Sequence, residues 1–344
     1  MFPQNCETTI CNDGYVGLWG GCFEIETTTE IQIYDNGLNA PIPSEIGSLV
    51  NLNSLSLYTE TTGFIPTEIG YLINLNSLIL NCNLSGVIPT QIGSLVNLNR
   101  LDLYENQLSG NIPNVIGELV GLDYLALNDN QLNGELPSEF DNLLNLEYLD
   151  LSNNFLTGSI PPEFGGIDSL KTLFLQQNEL TGEIPNELSS IESLFSLNLS
   201  NNQLSGEIPA TFGNFTYLSE LKLSFNELNG SIPSELGTLE NLRLLFLNNN
   251  QLNGEIPIEL GSLTNLRGPY GHHGTAAGPG LDLSNNQLTG SFPAEIASLE
   301  SLFGVYVNDN DLSGEIPQEV CNLGDGWGYS YHLRFGNNNF CPSY

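Results

Sequence analysis

The sequence is poor in cations. Six Lys and Arg stand against 40 Asp and Glu in 344 residues, a formal net charge of −34 at pH 7. Binding to a phosphate backbone or an anionic membrane surface needs a run of basic side chains to displace counterions, and none exists here, so nucleic acid is excluded as a partner. No apolar run reaches the roughly 20 residues that span a bilayer, so membrane insertion is excluded too. No signal peptide is legible ahead of FPQNCETT, and Met1 is expected to mark a processed or engineered boundary. Histidine is scarce: His272, His273 and His332 are the only three. A nucleophile–base pair or a metal centre needs a fixed imidazole with further ligands around it, and these residues offer none, so no catalytic and no metal residue is assigned.

Cysteine is also sparse, and its placement is informative. Cys6, Cys11 and Cys22 lie near one end, Cys321 and Cys341 near the other, and Cys82 stands alone between. This pattern suggests terminal disulfides formed in an oxidising compartment. Cys321 pairs with Cys341 in this reading and Cys11 with Cys22, with Cys6 competing for the latter.

What the sequence does have is a repeat. Leu101 to Leu122 reads LxLxxNxLxGxIPxxIGxLxxL, and nearly the same line returns every 24 residues from Leu125 to Leu245, then at Leu281 and Val305. Strand starts are read at Ile31, Leu55, Leu78, Leu101, Leu125, Leu149, Leu173, Leu197, Leu221, Leu245, Leu281, Val305 and Leu333, about thirteen coils. Each LxL is a short strand with alternate residues inward. The Asn five residues on (Asn36, Asn83, Asn106, Asn130, Asn154 and onward to Asn338) satisfies backbone groups of a buried turn, coil after coil. The Gly of LxG fits a tight backbone position. The Pro of IP blocks a long helix, and a short helical or 3₁₀ turn follows.

This line resembles the plant-type leucine-rich repeat of receptor ectodomains and polygalacturonase-inhibitor-like proteins, and bacterial secreted proteins that carry the same repeat. The flanks WGGCFEIETTTEIQI and VCNLGDGWGYSYHLRFGNNNFCP are more similar to the bacterial set. The resemblance covers roughly residues 19–342. It implies a binding scaffold that other members use for peptides, steroids, proteins or glycans.

Three departures stand out. The second and third repeats are one residue short. YTETTGF (58–64) is read as losing both the Asn and the Gly of the template. Twelve residues, Pro269 to Gly280, are inserted, and removing them restores LRGLDLSNNQLTG in frame. Carboxylates recur as ladders at IPxE (Glu45, Glu68, Glu139 and onward) and GE(I/L)P (Glu135, Glu183, Glu207, Glu255, Glu315), a solvated acidic face with at most weak Ca²⁺ binding.

The strand positions between the leucines are not uniform. Arg100, Asp102, Tyr104, Tyr124, Tyr148, Asp150, Phe174, Lys222, Phe246 and Tyr306 all fall in columns that point to solvent by register. Exposed aromatics with scattered charges have the composition of a binding strip.

The expected architecture is therefore an α/β solenoid, a leucine-rich repeat superhelix with a parallel sheet on its concave face and short 3₁₀ turns opposite. Residues 1–30 form an N-terminal cap with Trp19 and Phe23 as plugs, 31–320 the repeat array, and 321–344 the C-terminal cap. The expected function is non-catalytic recognition of a protein or carbohydrate ligand, outside the cell or on its surface, with no cofactor. The chain is expected to be a monomer, with pairing through the concave face left open. Three alternatives remain: an acidic structural or adhesive spacer stabilised by divalent cations, an inhibitor of a secreted polysaccharide hydrolase, and an ice-binding protein.

Overall fold

A computed structural model describes residues 11–35, 37–268, 279–297, 299, 301–302, 304–322 and 332–340. The chain divides into two compact units, Met1–Leu170 and Lys171–Tyr344, both built from the same coil.

Residues 101–122 show the construction. Leu101, Leu103, Leu108, Ile112, Ile116, Leu119 and Leu122, the apolar letters of the repeat, are at most 2% exposed. Each such side chain contributes roughly 2 kcal/mol by leaving water. The strand ends when Glu105 adopts φ 56, a left-handed turn that swings the chain inward. Pro113 is the last extended residue, at φ −67, before the 3₁₀ helix Asn114–Glu118. Its carbonyl accepts the first turn bond, from the Ile116 N–H at 3.0 Å.

In the first unit the strands Glu30–Asp35, Ser54–Gly63, Ser77–Gly86, Arg100–Asp102, Tyr124–Ala126 and Tyr148–Asp150 pair in parallel. Leu55, Leu78, Leu101, Leu125 and Leu149 are in register. The hairpin Tyr15–Leu18 with Gly21–Glu24 precedes them. Trp19 and Gly20 take φ 48 and 81 at its two-residue turn, the twist that joins antiparallel strands tightly. Trp19 is buried and its Nε1 donates to the Pro41 carbonyl at 3.0 Å, while Phe23 is half-buried. Cys11 and Cys22 form a disulfide. The Cys321–Cys341 pairing, Cys6, Asn36, His272 and His273 lie outside the described residues.

In the second unit Leu173, Leu197, Leu221, Leu245, Leu281, Val305 and Leu333 are in register. Leu245 pairs directly with Leu281, so the stack continues in register on either side of the insertion. Gly280 itself fills a rung: its carbonyl accepts from the Leu245 N–H and its N–H donates to Gly304. The inserted residues are therefore 268–279, one position earlier than the sequence suggested.

Two ladders of asparagine hold the coils. Asn130 typifies the inner one. Its Nδ2 donates to Leu103, Leu127 and Asn128 carbonyls at 2.9–3.2 Å, and its Oδ1 accepts from the Leu108 N–H at 2.9 Å. The outer ladder was not foreseen. Asn74, Asn97 and Asn145 reach back one coil to the carbonyls of Val50, Ile73 and Val120, and Asn241 and Asn265 do the same to Thr216 and Glu240.

The structure corrects the reading in two further places. The stretch after each ladder Asn, to which the repeat pattern assigned no element, is a second parallel strand: Gln107–Asn111, Gln131–Glu135 and Phe155–Thr157 pair in the first unit, and Thr181–Glu183, Gln203–Glu207 and Glu227–Asn229 in the second. In the two short repeats the deleted position is the left-handed one, so Ser54–Gly63 and Ser77–Gly86 run on for 10 residues each. Gly63 therefore keeps the template glycine's place, with φ 89. Cys82, not the exposed Asn83, occupies the inner-ladder position: it is 6% exposed and its Sγ lies 3.5 Å from the Leu57 carbonyl.

Candidate recognition surface

Strand periodicity places one row of side chains from every coil on the open face of the main sheet. In the first unit the row before the first leucine is Ser54, Ser77, Arg100, Tyr124, Tyr148, and the row between the leucines is Ser56, Ile79, Asp102, Ala126, Asp150. Rungs of a parallel sheet are about 4.8 Å apart, so large side chains in one row must touch.

They do so in one continuous cluster. The Arg100 guanidinium lies 3.7 Å from the centre of the Tyr124 ring and pairs with Asp102 at 2.5 Å. Tyr124 stacks on Tyr148 with centroids 4.5 Å apart and planes 3° from parallel. The Tyr148 hydroxyl donates to Asp150 at 3.0 Å, and the Ser152 hydroxyl and N–H donate to the other Asp150 oxygen at 2.6 and 3.0 Å. In a third row, Tyr34 stacks on Tyr58 at 4.8 Å, and of the two only Tyr58 was singled out from the sequence. Tyr104 is half-buried beside Asp102.

Asp102 and Asp150, expected to face solvent, are 3% and 7% exposed. Their neighbours are wider than the coil spacing and close over them. Burial raises the Asp150 carboxyl against the lowering effect of Ser152 and Tyr148. Burial, then the Asp150 charge, pushes the Tyr148 phenol far up, and burial with the Asp102 charge raises Tyr124. Burial opposes the Arg100 charge, but Asp102 outweighs it and the guanidinium is raised. Asp102 Oδ1 and Arg100 Nε are buried and meet no hydrogen-bond partner among the described residues. What reaches solvent is thus the top of an ordered Arg–Tyr–Tyr stack, with its carboxylates beneath.

The second unit presents Phe174, Lys222, Phe246 and Tyr306 on its own sheet, each half-buried. Lys222 is held by Glu220 at 2.7 Å, and Arg334 lies 4.3 Å from the Tyr306 ring centre. Asp282 accepts from the Ser284 hydroxyl at 2.6 Å, the arrangement seen at Asp150. The ten residues named from sequence therefore fall into separate sets on the two units. Among the described residues no group of three or more His, Cys, Asp or Glu is placed to hold a metal ion.

A family profile described as a leucine-rich repeat region matches residues 128–268, and a leucine-rich repeat profile matches 97–119 and 280–299. No curated protein sequence matches significantly. Among solved structures, the plant peptide hormone receptor RGFR1, in complex with RGF2, is 35% identical with a TM-score of 0.74, over 88% of this chain and 54% of that one. The chain thus spans about half the length of that receptor structure. A leucine-rich repeat protein of Leptospira interrogans is 30% identical with a TM-score of 0.68, over 91% and 79%. A plant ice-binding protein is 30% identical with a TM-score of 0.60, over 78% and 84%.

Proposed function

The chain belongs to the leucine-rich repeat family, and from that premise we propose that it is a non-catalytic recognition module that takes a peptide or protein segment on the open sheet of its first unit. The observation that carries this reading is the Arg100–Tyr124–Tyr148 stack. Arginine and tyrosine are the residue types that dominate binding energy at protein interfaces. Here they are immobilised before any ligand arrives, by Asp102, by mutual stacking and by Asp150. A ligand then meets side chains whose rotamer entropy is already spent, about 0.5–1.5 kcal/mol saved for each. RGFR1, similar over most of this chain, is a peptide hormone receptor, which supports the peptide reading. The net charge of −34 steers basic segments toward the protein and strongly acidic ones away. Among the described residues no helix is long and apolar enough to cross a membrane. A disulfide at Cys11–Cys22 suits an extracellular setting.

The test is a displayed-peptide selection on the purified chain, repeated with Tyr124→Ala/Tyr148→Ala. Peptides that bind the native surface and lose at least tenfold in affinity on the variant support the reading. Selection of the same peptides with equal affinity by both overturns it.

Similarity to a plant ice-binding protein favours one second reading. Residues 46–53, 69–76 and 92–99 (IGSLVNLN, IGYLINLN, IGSLVNLN) form ranks without a single charge on a chain of 40 acids. Regular uncharged ranks suit an ordered water surface. Ice-recrystallisation inhibition at micromolar protein decides it, and no inhibition removes this reading.

A further inference from the structure

The outer edge of the second unit carries two exposed aromatics among polar side chains. On this edge, the residue two before each strand leucine forms a continuous backbone ladder. Phe195 N–H donates to Lys171, Ser219 to Phe195, Arg243 to Ser219 and Arg267 to Arg243, at 2.8–3.0 Å. These five side chains therefore stand one coil apart, about 4.8 Å each. The column carries Lys171, Arg243 and Arg267, half of the chain's six cations. In the first unit the same column is Asn53, Asn76, Asn99, Asp123 and Glu147.

Two aromatics interrupt polar columns beside those cations. Phe195 is 48% exposed among Lys, Ser and Arg. Tyr217, 60% exposed, stands where Asn241 and Asn265 sit in the following coils. Those asparagines each donate a bond to the coil before, at 2.8 and 2.7 Å, which a tyrosine at this position does not reproduce. The chain thus forgoes an edge hydrogen bond and exposes a ring instead. Between the two rings lies a shallow cavity lined by Lys171, Thr172, Ser193, Phe195 and Tyr217. Glu192 and Glu240 occupy the next exposed column out.

We propose that this edge is a glycan site, distinct from the sheet surface, for an oligosaccharide bearing carboxylates (a uronate chain). An exposed aromatic face packs against the C–H face of a pyranose ring, and two rings flanking a shallow cavity accept successive sugars. Hydroxyls of Thr172 and Ser193 meet sugar hydroxyls and Lys171 meets a carboxylate at the cavity, while Arg243, three rungs further along the edge, meets a carboxylate of a later sugar. On a chain of net charge −34 an anionic ligand has no other column so basic, and the acids one column out confine it to the strip. Aromatic and cation together select the class. A neutral glucan lacks the charge, and a simple anion lacks the ring.

The probe is a galacturonic acid hexamer, titrated by calorimetry in EDTA so that calcium cannot bridge it to the acidic ladders, with cellohexaose as the neutral control. The expected result is saturable binding of the uronate only, weakened several-fold when salt rises from 50 to 300 mM. Lys171→Gln/Arg243→Gln abolishes it. Phe195→Ala/Tyr217→Asn weakens it at least tenfold; Asn at 217 restores the column's own residue, so this variant keeps its melting temperature. Absence of uronate binding, equal binding of cellohexaose, or binding unchanged in either variant overturns the proposal.

Discussion

The Cys82 thiol lies 3.5 Å from the Leu57 carbonyl, at the rung where Asn106 of the next coil reaches Leu80 at 2.6 Å. Deleting one residue from the repeat removed the left-handed position and moved the cysteine into the asparagine ladder. Its immediate neighbour on the rung is Thr59, whose hydroxyl is 3.4 Å from the sulfur. A thiol is a weak donor and gives up little when removed. Cys82→Ala is therefore expected to cost about 1 kcal/mol, mostly packing. Asn130→Ala leaves the Leu108 N–H without its partner and takes one donor each from the Leu103 and Leu127 carbonyls, which keep Asn106 and Asn154. At about 1–3 kcal/mol for a buried N–H left bare, with two further carbonyl bonds lost, its cost is the larger of the two. Urea melts of the two variants check the ranking, and equal costs would remove the asparagine ladder from the account of stability.

Asp150 and Asn198 do the same job on different coils. Ser200 donates its hydroxyl and N–H to Asn198 Oδ1 at 2.7 and 3.1 Å, as Ser152 does to Asp150. Asparagine at 150 is thus a substitution the fold already uses. The folded chain raises the Asp150 carboxyl by burial, so it binds its proton more tightly than the unfolded chain. Stability from this group is present below the unfolded value, about 3.9, and is lost as pH rises through the folded one. Asp150→Asn removes that loss. The melting temperature of the variant relative to wild type should climb with pH across the acid range and stay level toward pH 7. A flat difference would show that the Asp150 charge costs the fold nothing.

How much of this was legible in the sequence follows from what repeats. Leucine, proline, glycine and inner-ladder asparagine obey one geometric rule per coil, so their spacing defined strands, turns and register without coordinates. The second sheet escaped notice because Gln107–Asn111 and its counterparts carry polar residues whose pairing is with the neighbouring coil, not with a core. The outer asparagines escaped because Asn beside a leucine reads as surface filler. At the candidate surface, register places Arg100, Asp102, Tyr124 and Tyr148 in adjacent rows of one sheet. Register alone cannot say that Tyr124 and Tyr148 lie flat on each other and bury the two aspartates, because that depends on side-chain width against coil spacing.

Arg100 and Asp102 are unequal partners. Asp102 is 3% exposed, whereas the Arg100 side chain is 38% exposed. Removing the arginine leaves a carboxylate in the sheet with no cation, and such broken pairs cost about 3–5 kcal/mol when both partners are buried. Solvent access to Arg100 reduces this, and Arg100→Met is expected to cost about 2 kcal/mol. Arg100→Met/Asp102→Leu should recover most of that loss, since it removes the stranded charge as well. If the double variant is no more stable than the single one, the ion pair is not what holds Asp102 in place.

Leu245 pairs with Leu281 as if the residues between 267 and 280 were absent, and a Cβ placed on Gly280 would lie 2.4 Å from the Arg267 carbonyl. The two ends of the excursion already meet. Deleting 268–279 joins Arg267 to Gly280 with the spacing of the other coils, and it shortens a closed loop whose entropy cost grows only slowly with length. The deleted chain should therefore keep its circular dichroism spectrum and melt within about 1 kcal/mol of the parent, slightly on the stable side. A deletion that unfolds the second unit would mean that the excursion packs on the coils and is part of their core.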